Sequence, residues 1–296
     1  FSKAIVEELC LDDRSFVIEI ACNDGYLLQN FCDASIPCLG IEPASGAAAV
    51  AKAKRIPVVE EFFSEELGLQ LERKGQQADL IIGNNVYAHV PDVNDFTRGL
   101  KAALKPRGTI SLEVPHLMKL IELCQFDTVY HEHFSYFSLQ AINTIFGAWG
   151  LRVFDVEELP THGGSLRVYG CHEEDARSTH GSVDRLIEEE AARGLQDSAI
   201  YSAFQVRADK LKNDALCFLI EQKREGKSVV GYGAAAKGNT LLNYAGIKSD
   251  LLSAIYDAAE SKQGKFMPGS GIPILDRSAL VKARPDYVVI LPWNLA

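Results

Sequence analysis

Over its first 115 residues the chain alternates short β-branched runs with helical patterns, and that alternation restricts the fold more than any other feature. Residues 16–20 read as a strand, 26–31 as a helix start, 38–42 as a second strand and 46–54 as an Ala-rich helix. A third short strand is read at 57–60, a fourth at 79–83, a helix at 93–104 and a fifth strand at 108–114. This pitch predicts a parallel, doubly wound sheet. From 125 to 169 the pattern is aromatic, His-rich and less regular, with strand-like ends at 151–157 and 165–170. Residues 182–225 are helical in period, with Leu186, Ile187, Phe204, Leu211, Leu216, Phe218 and Leu219 on apolar faces. The α/β pattern then recurs without a sequence repeat. A strand at 228–232 runs into a Gly- and Ala-rich loop and a helix, and further strands follow at 252–257 and 287–291. Residues 264–271 read as a loop from their Gly and Pro.

At 296 residues, two domains are expected. The division is placed between 1–175 and 176–296, the second part being a helical connection followed by a smaller α/β domain. A net charge of −10 without a Lys/Arg cluster argues against nucleic acid as a partner. No apolar run approaches the roughly 20 residues of a membrane helix, and no signal peptide opens the chain. Seven cysteines, none spaced C-x-x-C, disfavour a disulfide framework or a zinc ribbon and fit reduced thiols in a cytoplasmic protein. The opening at Phe1 inside an apolar-periodic helix, and the stop just after an apolar strand, suggest a piece of a longer polypeptide.

Chemistry-bearing residues gather at four places. The first is Glu19-Ile20-Ala21-Cys22-Asn23-Asp24-Gly25, at the end of the first strand. A cofactor there needs a tight turn, supplied by Gly25, and a helix N-terminus beyond; Glu19 could accept from an ammonium group. Glu42, about 17 residues beyond Gly25, stands where an acid typically holds ribose hydroxyls. Asn84 and Asn85 end the fourth strand on the same crevice. The alternative is polar capping of strand ends. The second place is Tyr130-His131-Glu132-His133-Phe134-Ser135-Tyr136. Read as extended, it puts Tyr130 and Glu132 on one face and the two histidines on the other, which invites a metal, a general base or a hydrogen-bonded aromatic core. His89, after the fourth strand, lies on the cofactor-facing rim or caps a loop. Third, Thr161-His162-Gly163-Gly164-Ser165-Leu166-Arg167 suits an anion or is a hairpin turn. Fourth, the loop with Gly231, Tyr232, Gly233, Lys237, Gly238 and Asn239 lacks the G-x-x-x-x-G-K order of a phosphate loop. Its strand-to-helix position still offers backbone donors and Lys237 to a pyrophosphate, against a close-packed turn.

With G-x-G-x-x-G absent, the acid before the first turn, the acid after the second strand and the Asp-led fourth strand look like a class I S-adenosylmethionine (SAM) methyltransferase. Together with Asn84–Pro91, Glu113-Val114-Pro115-His116, residues 125–137, residues 158–169 and the loop at 231–240, they resemble the bacterial NDP-sugar C-methyltransferases essentially along the whole chain. The resemblance implies a SAM-binding domain followed by a second Rossmann-like domain, with a dTDP- or other NDP-4-keto-deoxysugar held between them. It also implies a small N-terminal zinc module that is missing here, and a Gly where this chain has Ala21. The implied chemistry is removal of the proton beside the ketone and attack of the enolate carbon on the SAM methyl. His133 would be the base, and Tyr130, Glu132 and His89 would position the sugar or stabilise the enolate. The implied SAM contacts are Glu19, Ala21, Asn23, Gly25, Glu42, Asn84 and Asn85. The implied substrate contacts are His162, Ser165, Arg167, Tyr232, Lys237 and Asn239, with no catalytic metal. Two other readings compete. One is a nicotinamide-dependent sugar-nucleotide oxidoreductase using the 231–240 loop, which lacks a full glycine fingerprint and a clearly placed acid for the ribose. The other is a non-catalytic SAM- or nucleotide-binding module.

Overall fold

The computed structural model describes residues 1–295. The chain forms two compact units that interleave in sequence. One comprises Phe1–Met118, Phe134–Pro160 and Gly164–Leu195; the other comprises Lys119–His133, Thr161–Gly163 and the chain from Gln196 onward.

In the first unit the elements run α1 (Ser2–Glu8), β1 (Val17–Ile20), α2 (Leu28–Asp33), β2 (Cys38–Ile41), α3 (Ser45–Ala53), β3 (Val58–Val59), α4 (Glu65–Arg73), β4 (Ala78–Asn84), α5 (Val93–Ala103) and β5 (Leu104–Pro115). After α6 (Leu117–Glu122), which crosses into the second unit, come α7 (Leu139–Ala148), β6 (Leu151–Leu159), β7 (Ser165–His172) and α8 (Gly181–Ala192). The seven strands are ordered β3-β2-β1-β4-β5-β7-β6. The five strands of the alternation pair in parallel, as predicted, and beyond them β7 runs antiparallel to both β5 and β6. The strand-like ends at 151–157 and 165–170 are thus a hairpin that completes the sheet. Val17, Leu80 and Ile82 face one side, where they pack with Ile5, Leu28, Phe31 and Ile56. Helix starts follow the side chains: Ser64 caps α4, Asp92 caps α5 and Ser138 caps α7, each accepting from backbone N–H groups of the first turn.

The helices expected to lead together into a second domain are divided. α8 stays with the first unit, burying Val183 and Leu186. The second unit takes the 27-residue α9 (Ser198–Arg224), followed by β8 (Val229–Tyr232), α10 (Ala236–Ala245), β9 (Ile255–Asp257), β10 (Ile274–Asp276), α11 (Arg277–Ala283) and β11 (Tyr287–Ile290). Its parallel sheet is ordered β10-β9-β8-β11, with Leu219, Val229, Leu242, Ile255 and Ile272 in its core. That order repeats β3-β2-β1-β4 of the first unit. Each sheet therefore has its topological switch point, where ligands of open α/β sheets bind, beside the first strand of its unit.

Candidate active site

At the carboxyl end of β1 the backbone turns through left-handed conformations at Ala21 (φ 57°), Asn23 (φ 50°) and Gly25 (φ 74°). Gly25 is required twice: its φ is positive, and a Cβ would strike Ile56 and press on Ala51. Ala21 takes a strained conformation that Gly would take freely. Glu42, one residue past β2, braces this turn. Its Oε2 accepts from Asn23 N–H (3.0 Å) and its Oε1 from Ala44 N–H (2.8 Å). Glu19 is 3% exposed, and its Oε2 has no hydrogen-bond partner among the described residues. Burial pushes its carboxyl up to about 8, aided by the charge of Asp24 and opposed by a hydrogen bond from Leu28 N–H. At the end of β4 the buried Oδ1 atoms of Asn84 and Asn85 are likewise unpartnered among the described residues, and Asn85 has φ 55°. Unmet acceptors at β1 and β4 beside an acid at β2 suit a nucleoside that carries a cation. Two aromatics on the loops at this end of the sheet were not singled out from sequence: Tyr26, and Phe62, which is 81% exposed. The signal available for Phe62 was the run Glu60-Glu61-Phe62-Phe63 directly after a strand.

The segment 130–133 is a turn, not the extended strand whose alternation separates Tyr130 from His133. His133 N–H donates to Tyr130 O (3.0 Å), and the two rings meet with centroids 4.3 Å apart and planes tilted by 33°. His133 Nδ1 lies 2.9 Å from the Thr128 carbonyl, and a carbonyl only accepts, so Nδ1 carries the hydrogen. In the neutral ring that leaves the lone pair on Nε2, 3.1 Å from the Tyr130 hydroxyl. His131 and Glu132 are exposed, their side chains 3.9 Å apart. No metal-holding group of three His, Cys, Asp or Glu occurs among the described residues.

His89 is exposed at the end of a 3₁₀ turn in the first unit. The turn is anchored by the buried Tyr87, whose hydroxyl meets Thr97 Oγ1 at 2.7 Å, and by Phe134 N–H, which donates to Ala88 O (2.8 Å). The segment at 161–167 closes the β6–β7 hairpin. His162 is exposed with φ 55°, and Ser165 is buried. Arg167 does not stand free for an anion, because its guanidinium is held by Glu113 of β5 (2.7 Å) and lies near Glu157 (3.8 Å). Sequence reasoning also missed the buried pair of His116 and Glu190. His116 Nε2 is 2.8 Å from Glu190 Oε1, and that carboxylate accepts from the Leu139 and Gln140 N–H groups at the start of α7.

In the second unit β8 runs through Gly233 (φ 84°), where a Cβ would lie 2.5 Å from Pro292, into α10, whose start has no side-chain cap. Asp257, at the end of β9, accepts from Ala234 N–H (2.6 Å) and Ala259 N–H (2.7 Å). This corrects the expectation that the loop lacks an acid: Asp257 ends the strand read at 252–257, about 24 residues after Gly233. Lys237 is half-buried, its Nζ 4.6 Å from the centroid of Trp293, whose Nε1–H donates to Asp127 (2.6 Å). Burial lowers the Lys237 pKa, and Asp127 opposes that shift. Asn239 Oδ1 is buried without a partner among the described residues, and Tyr232 is half-buried at the end of β8.

Residues 3–156 match the family model described as a methyltransferase domain, and residues 160–296 match that of the C-methyltransferase C-terminal domain. The chain is 34% identical over 291 residues to the C-methyltransferase NovU of Streptomyces niveus, covering 98% of this chain and 69% of that protein. Among solved structures it is similar to a SAM-dependent methyltransferase from Anabaena variabilis ATCC 29413. There the identity is 14% and the TM-score 0.46, over 58% of this chain and 83% of that one. It is also similar to the magnesium protoporphyrin IX methyltransferase of Synechocystis PCC 6803 with bound SAH, with 14% identity and a TM-score of 0.45 over 58% and 79%. The chain belongs to the SAM-dependent C-methyltransferases.

Proposed function

We propose that this chain methylates the carbon beside the ketone of a 4-keto-deoxysugar nucleotide. SAM, when bound, supplies an electrophilic methyl group on its sulfonium. The loop Ala21–Gly25 leaves room for it, Glu42 offers its remaining lone pairs to ribose hydroxyls, and Glu19, Asn84 and Asn85 supply acceptors. These groups fit SAM because each buried acceptor at β1 and β4 is otherwise unmet.

The observation that carries the proposed reaction is the hydrogen on His133 Nδ1. Held by the Thr128 carbonyl, it fixes the tautomer, so that the neutral ring has Nε2 as the basic nitrogen. The ketone acidifies the neighbouring C–H; Nε2 takes that proton, and the positive charge formed on the ring is stabilised by the carbonyl. The Tyr130 hydroxyl, already a donor toward this nitrogen, is suited to hydrogen-bond the enolate oxygen. Glu132 and His89 position the sugar hydroxyls.

The second unit holds the nucleotide, dTDP or another NDP. Asp257 meets its ribose, and the uncapped start of α10 with Lys237 meets its diphosphate. Tyr232, Asn239 and His162 add polar contacts. Ser165 and Arg167 shape the end of β5 through the Glu113 pair. The functional division follows the two units, the first for the methyl donor and the second, which includes residues 119–133 and 161–163, for the nucleotide.

Incubation with a dTDP-4-keto-6-deoxyhexose in deuterated water tests this by mass. The expected result is deuterium uptake without SAM and a gain of one methyl with it. Neither change, with SAM still bound, would mark a non-catalytic binding module. Oxidation or reduction of the sugar with a nicotinamide would favour the oxidoreductase instead.

A further inference from the structure

Glu19 presents an electrostatic problem that the rest of its crevice does not solve. Its carboxyl is almost fully enclosed, with one oxygen meeting Leu28 N–H and the other meeting nothing among the described residues. The groups around it are acidic or neutral. Cys22, Asp24 and Tyr26 follow on its own loop, Cys38 and Glu42 belong to β2 and its end, and Glu113 belongs to β5. The cations beside Asp24 and Glu113 are already committed: Lys54 to Asp24 at 2.8 Å, and Arg167 to Glu113 at 2.7 Å. An enclosed carboxylate without a cation keeps its proton to a pH well above the ordinary carboxylate range. The missing partner must donate hydrogen bonds as well as bring charge. An ammonium has three N–H donors, whereas a sulfonium has none.

We propose that Glu19 is protonated in the free protein and releases that proton to solvent when the ammonium group of SAM takes the place beside Oε2. This rests on the assignment of the Glu19–Gly25 crevice to SAM. The O–H bond of the carboxyl breaks, the proton passes to the buffer, and the carboxylate pairs with the ammonium. Below pH 8, SAM binding is therefore coupled to proton release and tightens as the pH rises. Above about pH 8 the dependence flattens and then reverses, as the ammonium of SAM itself loses its proton.

Calorimetric titration at pH 7, in two buffers of different ionisation enthalpy, reads the protons released. With Glu19 titrating near 8 in the free protein, SAM should release roughly 0.9 proton per molecule bound. S-adenosylhomocysteine keeps the ammonium and should release the same number. Methylthioadenosine keeps the nucleoside and thioether but lacks the amino acid, so it should bind with no release. Glu19→Gln should bind SAM roughly tenfold more weakly and without proton release. Its unchanged binding of methylthioadenosine would show that the crevice remains folded. No release from SAM by the wild-type protein, or an equal release by Glu19→Gln or on binding methylthioadenosine, would overturn the proposal. Absence of SAM binding altogether would instead overturn the assignment of the crevice.

Discussion

The two sheets place an acid at the same point by the same means. Glu42 and Asp257 each stand one residue beyond the last residue that the second strand of their unit pairs with the first, at Ile20↔Ile41 and Tyr232↔Tyr256. Each accepts one N–H from the loop after the first strand and one from the residue two places ahead of itself. The crevices differ in what the first strand and the segment after it add. In the first unit it is Glu19, an enclosed acid with no cation; in the second it is Lys237, a half-buried ammonium that makes no ion pair among the described residues. The strand order β3-β2-β1-β4 and its counterpart β10-β9-β8-β11 set where a nucleoside can sit. The sign of the neighbouring charges, Lys237 and the Lys262 that lies 3.7 Å from Asp257 in the second unit, then sets what we propose the nucleoside carries. A cationic amino acid suits the first crevice and a diphosphate the second.

The largest test of this contrast removes a residue that belongs to neither crevice. His133→Ala should lose deuterium exchange at the sugar by roughly 10²- to 10⁴-fold while SAM and dTDP affinities stay as in the wild type. A loss of either affinity would tie His133 to binding instead. Next in size, Lys237→Met should weaken dTDP by roughly 10- to 100-fold in a fluorescence or calorimetric titration, leaving SAM untouched. Equal weakening of thymidine, which has no phosphate, would contradict the diphosphate role.

The charge of Glu19 also has a stability signature. The folded protein holds this proton up to about 8, whereas an unfolded glutamate loses it near 4.5. Folded protein therefore binds more protons between these values. The Glu19 contribution to stability is fully present below 4.5, declines as pH rises, and is lost through pH 8. Thermal unfolding should show a Tm that falls from pH 5 to 9 more steeply than that of Glu19→Gln, and parallel curves would refute the account. The smallest effect concerns the turn itself. Ala21→Gly relieves a left-handed alanine and should raise stability by about 0.5–1 kcal/mol in urea unfolding; a loss of stability would show that the methyl packs favourably.

The strands that carry the crevices were legible because β-branched runs and their polar ends are local signals. Glu19, Glu42, Asn84 and Lys237 follow directly from strand position. Asp257 was just as legible, as the last residue of the strand read at 252–257, of which Ile255–Asp257 is observed. The turn at 130–133 was not legible. Its four ionisable or aromatic residues alternate like a strand, and only the His133 N–H bond to Tyr130 O reveals the turn that pairs them. The reversal of β7 and the capture of Arg167 by Glu113 depend on pairing between residues 54 apart, which no local period records. The buried His116–Glu190 pair spans 74 residues and left no sequence signal of its own.

The most direct test of the central claim compares Glu42→Gln and Asp257→Asn, each titrated with SAM and with dTDP. Two crevices of like construction and separate ligands predict a crossed result: Glu42→Gln weakens SAM alone, and Asp257→Asn weakens dTDP alone. If Asp257→Asn left dTDP binding unchanged, or if Glu42→Gln weakened both ligands alike, the assignment of one nucleoside to each unit would be wrong.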